Sequence, residues 1–219
     1  TSNNKIVIIG KDSTIPDSVE ILGFELFKGS LIKEITLSKN IKDIGFETFC
    51  DCKLLKKVTF LGDSIAHIRP SAFANCISLK EINIPKGVEQ LGEQAFDNCY
   101  RLEKVNIPST VKVIGNKCFR NVSKVDFVLP PNLESIGEKA FAKCYGIKNV
   151  YIPKTLEKIG SHAFSGCSKT LESIEVDPLN KVYSSKNNCN CLSQKRRQSS
   201  VLRYGRDLWG RHGCYRSEV

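Results

Sequence analysis

Apolar and polar positions follow one short motif that returns down the chain. Residues 79–85 read Leu-Lys-Glu-Ile-Asn-Ile-Pro and residues 102–108 read Leu-Glu-Lys-Val-Asn-Ile-Pro. The fourth and sixth residues of this motif point to one face of a short extended strand, and the Pro that follows withholds a backbone donor and ends it. A second piece, Val88-Glu-Gln-Leu91-Gly92, turns another pair of apolar residues inward, and its Gly permits a sharp turn. The Glu-Gln-Ala-Phe stretch after it has too few residues for a helix stable by itself, so it is expected to form a turn or two of helix held by packing.

The motif is strictly spaced. Phe27, Phe49, Phe73, Phe96, Phe119, Phe141 and Phe164 follow one another at intervals of 22, 24, 23, 23, 22 and 23 residues. Four residues before each stands Gly23, Gly45, Arg69, Gly92, Gly115, Gly137 or Gly160, and the residue before each Phe is small in the clearest copies, as at Ala72 and Ala95. Three residues after the Phe comes Cys52, Cys76, Cys99, Cys144 or Cys167, with Ser30 and Val122 in the two remaining copies.

One such unit cannot bury its own apolar face, so the units must stack. The expected fold is an α/β repeat solenoid of seven to eight units over residues 1–180, with a parallel sheet on the concave face and short helical turns on the convex face. The side chains between the inward positions would form an outward lattice on the concave sheet: Glu34 and Thr36, Lys57 and Thr59, Glu81 and Asn83, Lys104 and Asn106, Asn149 and Tyr151, Ser173 and Glu175. The copy around Ser123 to Pro130 is one residue short, so Asp126 and Val128 fit the lattice less regularly.

The string Leu-x-x-Ile-x-Ile-Pro-x-x-Val-x-x-Ile-Gly-x-x-Ala-Phe-x-x-Cys resembles the BspA-type leucine-rich repeat. It stands nearly complete at 79–99, 102–118 and 147–167, and the resemblance runs from residue 15 to about 180. Val176 to Asn180, Tyr183 to Ser185, Cys191-Leu192 and Val201 to Tyr204 also resemble an irregular hairpin unit that interrupts such arrays. The resemblance implies a leucine-rich repeat horseshoe in a surface-exposed or secreted protein of an anaerobic bacterium or a parasitic protist, tied to adhesion to host matrix or cells. It supplies no catalytic residues and no cofactor, and it names no ligand.

Charge separates the body from the end of the chain. Residues 1–180 hold 24 Lys and Arg against 21 Asp and Glu, and residues 181–219 hold 9 against 2. The body therefore has no strong single-sign field, which argues against nucleic acid on the concave face. Residues 181–219 read as a hairpin cap and a basic tail. There Arg203, Arg206, Arg211 and Arg216 interleave with Tyr204, Trp209 and Tyr215, a mixture that suits a polyanion or single-stranded nucleic acid.

Ten Cys invite a disulfide framework, but five of them share one repeat slot and so form a column of small buried hydrophobes with weak thiol donors. Cys50 and Cys118 lie off the column and read as free thiols. Cys189, Cys191, His212 and Cys214 carry zinc-type ligands, but at a spacing unlike that of structural zinc sites, and no metal is expected. His67, His162 and His212 share no site, and the chain has no phosphate loop or nucleophile elbow, so no enzyme is expected. Asn121-Val-Ser123 is a glycosylation sequon. No apolar run reaches the roughly 18 residues of a membrane helix. The absence of Met, including at position 1, reads as a fragment or a processed form.

The expected function is a non-enzymatic protein-binding module of a cell-surface or secreted adhesin, contacting host proteins through the concave lattice. The alternative is an intracellular scaffold of the same fold, or a polyanion or nucleic-acid contact made by the tail.

Overall fold

The computed structural model describes residues 13–167 and 170–185 and the short strand 192–194. Each unit of about 23 residues is one coil of a parallel β-solenoid, and the chain returns to the same place after every coil. Four first strands make one parallel sheet: β2 (Glu34–Leu37), β4 (Lys57–Phe60), β6 (Glu81–Asn83) and β8 (Lys104–Asn106). Two later ones, β11 (Asn149–Ile152) and β13 (Ser173–Val176), pair with each other. A second wall comes from the Val-x-x-Leu-Gly pieces as seven two-residue strands in parallel register: β1 (Ile21–Leu22), β3 (Asp43–Ile44), β5 (His67–Ile68), β7 (Gln90–Leu91), β9 (Val113–Ile114), β10 (Ser135–Ile136) and β12 (Lys158–Ile159).

The third wall corrects the expectation of helical turns. Every regular element with named bounds among the described residues is a strand, and the segment around each Phe is a run of tight turns. Two positions per coil hold left-handed backbone. The residue two before the Phe is one, as at Glu47, Ser71 and Gln94; the residue two after it is the other, as at Asp51, Asn75, Asn98 and Asn121. A left-handed residue every four positions forbids the continuous right-handed turns a helix needs. Each non-Gly example costs on the order of 1 kcal/mol and persists only where surrounding bonds fix it. They are fixed here: the N–H groups of Gln94, Phe96 and Asn98 donate to the carbonyls of Asn116, Cys118 and Arg120 in the next coil, at 2.8, 2.8 and 2.9 Å, and the other coils repeat the pattern.

The walls enclose a continuous core. Phe49, Phe73, Phe96, Phe119 and Phe141 are fully buried, and the seven repeat Phe rings stack from coil to coil at 5.1–5.6 Å between centroids. This is a favourable offset-stacking distance.

Two units depart from the pattern, and each departure has a visible cause. In the short copy, Phe127 takes the inward first-strand position and wedges between Phe119 and Phe141 at 4.8 and 5.1 Å. The copy forms no strand, and the first-strand wall divides between β8 and β11 instead of running on as one sheet. Asp126 bridges part of the gap by accepting the N–H of Lys148 at 3.1 Å. In the first-wall copy around β4 there is one extra residue: Val58 to Ile65 spans seven positions where Ile82 to Val88 and Val105 to Val111 span six. After Lys57↔Glu81 no further register pair joins β4 to β6, whereas β2 and β4 pair at four positions.

Past β13, Asn180 is buried and acts as a hub. Its Nδ2 donates to the carbonyls of Pro153 and Leu156, and its Oδ1 accepts the N–H groups of Val182 and Tyr183. Tyr183 Oη accepts the N–H of Ile159 at 3.0 Å, which satisfies a donor on β12 that has no further coil to pair with. A hairpin follows, β14 (Tyr183–Ser185) with β15 (Leu192–Gln194), antiparallel. Cys189, Cys191, His212, Cys214 and the basic aromatic tail lie outside the described residues.

Candidate partner-binding face

The repeat register sets the geometry of the first-strand wall. Alternate residues of each strand face the core, so the remaining ones line up outside at the strand spacing of roughly 4.8 Å. The inner row contains Ile35, Val58 and Ile82, all buried. The outer rows contain all twelve side chains of the expected lattice, and none of the twelve is buried. Glu34, Lys57, Glu81 and Lys104 stand in register across β2, β4, β6 and β8. Thr36 is opposite Thr59, Asn83 opposite Asn106, Asn149 opposite Ser173 and Tyr151 opposite Glu175. The break at 125–129 separates the first eight side chains from the last four.

The two groups differ in how they are satisfied. On the two-stranded part, Ser173 donates to Asn149 Oδ1 at 2.7 Å and Tyr151 donates to Asp177 at 3.1 Å. Burial and that bond raise the Tyr151 phenol above its ordinary value. On the four-stranded part, Glu34, Lys57, Glu81 and Lys104 lie among the described residues without an ion pair to one another or to any other residue. They line a depression of about 390 Å³ together with Lys56, Lys80 and Glu103, a row that the sequence lattice left out. A recurring Lys just before the strand, at Lys33, Lys56, Lys80 and Lys148, was the signal for it. Glu103 is the exception, since it pairs with Lys124 at 2.8 Å, and that bond holds its carboxyl below the usual carboxylate range. Beside this depression, where β4 and β6 diverge, a second of about 290 Å³ opens between Thr59, Phe60 and Asn83 and shares Lys57 and Glu81 with the first.

The repeat cysteines are structural. Cys52, Cys76, Cys99, Cys144 and Cys167 are fully buried, and each thiol donates to the carbonyl of a repeat Phe one coil back at 3.0–3.3 Å. Burial raises all of their pKa values. Cys50 and Cys118 are buried free thiols. His67 lies on β5 and His162 in a turn two residues before Phe164, so they share no site. Among the described residues, no group of three His, Cys, Asp or Glu side chains is placed to hold a metal. Asn121 of the sequon is half-buried and takes part in a side-chain ladder, with its Nδ2 on Asn98 Oδ1 at 2.7 Å and Asn98 Nδ2 on Asn75 Oδ1 at 2.8 Å.

Comparison with known proteins agrees with this geometry. The family model described as BspA type leucine rich repeat region matches in six copies, over residues 10–126 and 114–201. No curated protein matches the chain. Among solved structures, a leucine rich repeat protein of T. pallidum is 25% identical over 70% of this chain and 75% of its own, with a TM-score of 0.62. A leucine rich cell surface protein of Faecalibacterium prausnitzii A2-165 is 25% identical over 84% of this chain and 42% of its own, TM-score 0.53. The pneumococcal vaccine antigen PcpA is 24% identical over 83% of this chain and 44% of its own, TM-score 0.53, a likeness of fold. The chain thus spans less than half the length of the last two.

Proposed function

The chain belongs to the BspA-type leucine-rich repeat family, a family of protein-interaction modules, and from that premise we propose that it is a non-enzymatic binding module of a cell-surface or secreted adhesin. Its first-strand wall, the concave side of the array, takes a host protein over several coils. The observation that carries this reading is the four-stranded part of the lattice. Charged side chains of the lattice there stand one strand apart, yet among the described residues none of Glu34, Lys57, Glu81 and Lys104 forms an ion pair. Elsewhere lysines and glutamates one coil apart do pair, as Lys42 does with Glu20 and Lys112 with Glu89. An extended face of unengaged donors and acceptors on a rigid core is what repeat arrays offer a protein partner. A surface location is supported by the likeness to the F. prausnitzii cell surface protein. No helix among the described residues is long and apolar enough to cross a membrane.

Two measurements test the reading. Labelling intact source cells with a membrane-impermeant reagent should mark the protein, and labelling only after lysis refutes the surface location. Binding of the full chain to immobilised host-matrix proteins should be saturable and should fall when Lys104, Asn106, Asn149 and Tyr151 are replaced by Ala; an unchanged affinity refutes the face.

A further inference from the structure

The four-stranded face carries an uncompensated electrostatic cost. Lys33, Lys56 and Lys80 stand on consecutive coils just before the strands, and like charges one strand apart repel. Lys57 and Lys104 add to them. None of these five lysines forms an ion pair among the described residues, and the free acids beside them are Glu34 and Glu81, since Glu103 is held by Lys124. The face therefore presents five lysines without an ion pair against two unpaired glutamates, and Glu103, whose charge Lys80 and Lys104 also feel, is shared with Lys124. The extra residue of the β4 copy adds a second, independent irregularity at the same place. It parts β4 from β6 beyond Lys57↔Glu81, leaves Phe60 half-exposed where Leu37 and Ile84 on either side are buried, and opens the depression beside Thr59 and Asn83. Local insertions in a sheet re-aim side chains and recur next to functional sites.

Resting on the binding reading above, we propose that the segment this face recognises is an extended acidic peptide with a carboxylate at about every third residue, anchored at the β4–β6 seam. The spacing follows from the lattice. Lys57 and Lys104 are two coils apart, as are Lys33 and Lys80, which is roughly 9.6 Å at the usual strand spacing. A peptide in the extended polyproline-II conformation brings every third side chain to one face and rises about 3.1 Å per residue, so three residues cover about 9.3 Å and match two coils. Glu34 and Glu81 exclude a uniform polyanion, which would bring a negative charge to each of them. A peptide brings backbone N–H groups between its carboxylates, and these satisfy both glutamates. The seam gives one carboxylate a partly enclosed seat with Lys57, the Thr59 hydroxyl and the Asn83 amide at its wall, and a neighbouring peptide N–H turned to Glu81 on the same wall offsets that like charge.

The test uses the full chain and fluorescein-labelled peptides: one with Asp at every third position among Ser and Asn, one of identical composition with its Asp residues contiguous, and one with Asn for Asp. A heparin hexasaccharide is the competing polyanion. The every-third peptide should bind at least about tenfold more tightly than the other two, and Lys57→Ala/Lys80→Ala/Lys104→Ala should remove that advantage. Thr59→Tyr, which fills the seam and keeps every charge, should weaken the same peptide, so a folding defect in the triple variant does not decide the matter; circular dichroism and the melting temperature check both. Equal binding of the three peptides overturns the proposal, as does binding that survives the triple variant. Tighter binding of heparin that improves further in Glu81→Gln overturns it in favour of a uniform polyanion. If a host-matrix protein binds this face and loses affinity in the lattice variant while the peptides show no preference, the peptide inference fails and the binding reading stands.

Discussion

The thiol of Cys76 donates to the main-chain oxygen of Phe49, one coil back, at 3.1 Å. That bond couples the two rows that define the repeat, the stacked rings and the cysteine column. Val122 occupies the same slot without a donor and is equally buried, so shape at this position matters more than the thiol. Cys99→Val should therefore cost under about 1 kcal/mol, whereas Cys99→Ala, which leaves a cavity, should cost about 1–2 kcal/mol. Urea unfolding of the two variants checks the order; a larger loss for Val than for Ala contradicts it.

Alkaline pH should unfold the array through its thiols. Burial pushes Cys167 up to about 11 and Cys50 up to about 12, and it raises Cys76, Cys118 and Cys144 as well. An unfolded thiol loses its proton near pH 8.5, so above that the folded state holds more protons than the unfolded chain and stability falls as pH rises. Each buried thiol should contribute a loss of about 1.4 kcal/mol per pH unit from about pH 9 until its folded pKa is reached. Below about pH 8 the contribution is fully present. Urea midpoints under reducing conditions should be flat from pH 6 to 8 and drop steeply above 9, and Cys118→Ala should make the drop shallower. A flat profile to pH 10.5 contradicts the buried column.

Asp97 is buried at 2% exposure, and Arg120 of the next coil holds it from both oxygens. Two other copies have Ala in this row, Ala74 and Ala142. Removing Arg120 alone strands a buried carboxylate, so Arg120→Ala should cost about 3 kcal/mol or more. Asp97→Ala/Arg120→Ala, which restores the apolar row, should recover most of that loss. A double variant no more stable than Arg120→Ala would mean that the pair is not coupled.

A Cβ on Gly115 would meet Glu93 N and Gly92 C of the preceding coil at 2.6 and 2.7 Å. The one copy with a side chain there shows the effect: Arg69 N–H reaches Ile44 O at 3.3 Å, where the Gly copies close at 2.8 Å. Gly115→Ala should cost about 1–3 kcal/mol by overpacking against backbone. Arg69→Gly should stay within about 1 kcal/mol of the parent, because closing the coil offsets loss of the half-exposed Asp43 pair. Thermal melts of both variants read this directly.

The solenoid, its coil length and its lattice were legible because the repeat is strict: the Phe interval counts the coils, and a side-chain period of two places Glu34 through Lys104 outside. The helical turns were misread because Glu-Gln-Ala-Phe has helix-forming composition, while the left-handed positions are dictated by hydrogen bonds to the next coil, which propensity does not see. Asn, Asp or Gly two residues after the Phe in six of seven copies was the contrary signal, since these residues favour left-handed backbone. Phe127 gave no warning that it would interrupt the wall, because its size matters only against Phe119 and Phe141 in space. The Lys56 and Lys80 row was visible in the sequence but lies one residue outside the strand pattern.

The most direct test of the binding face is equilibrium binding of the full chain to a panel of immobilised host-matrix proteins, beside two variants. One, Lys57→Ala/Glu81→Ala/Lys104→Ala, empties the four-stranded lattice; the other, Lys117→Ala/Lys143→Ala, alters the turn wall. At least one matrix protein should bind saturably, lose about tenfold or more in affinity with the lattice variant, and keep its affinity with the turn variant. A lattice variant that binds as the parent does, or a turn variant that alone loses binding, contradicts the first-strand wall as the partner face.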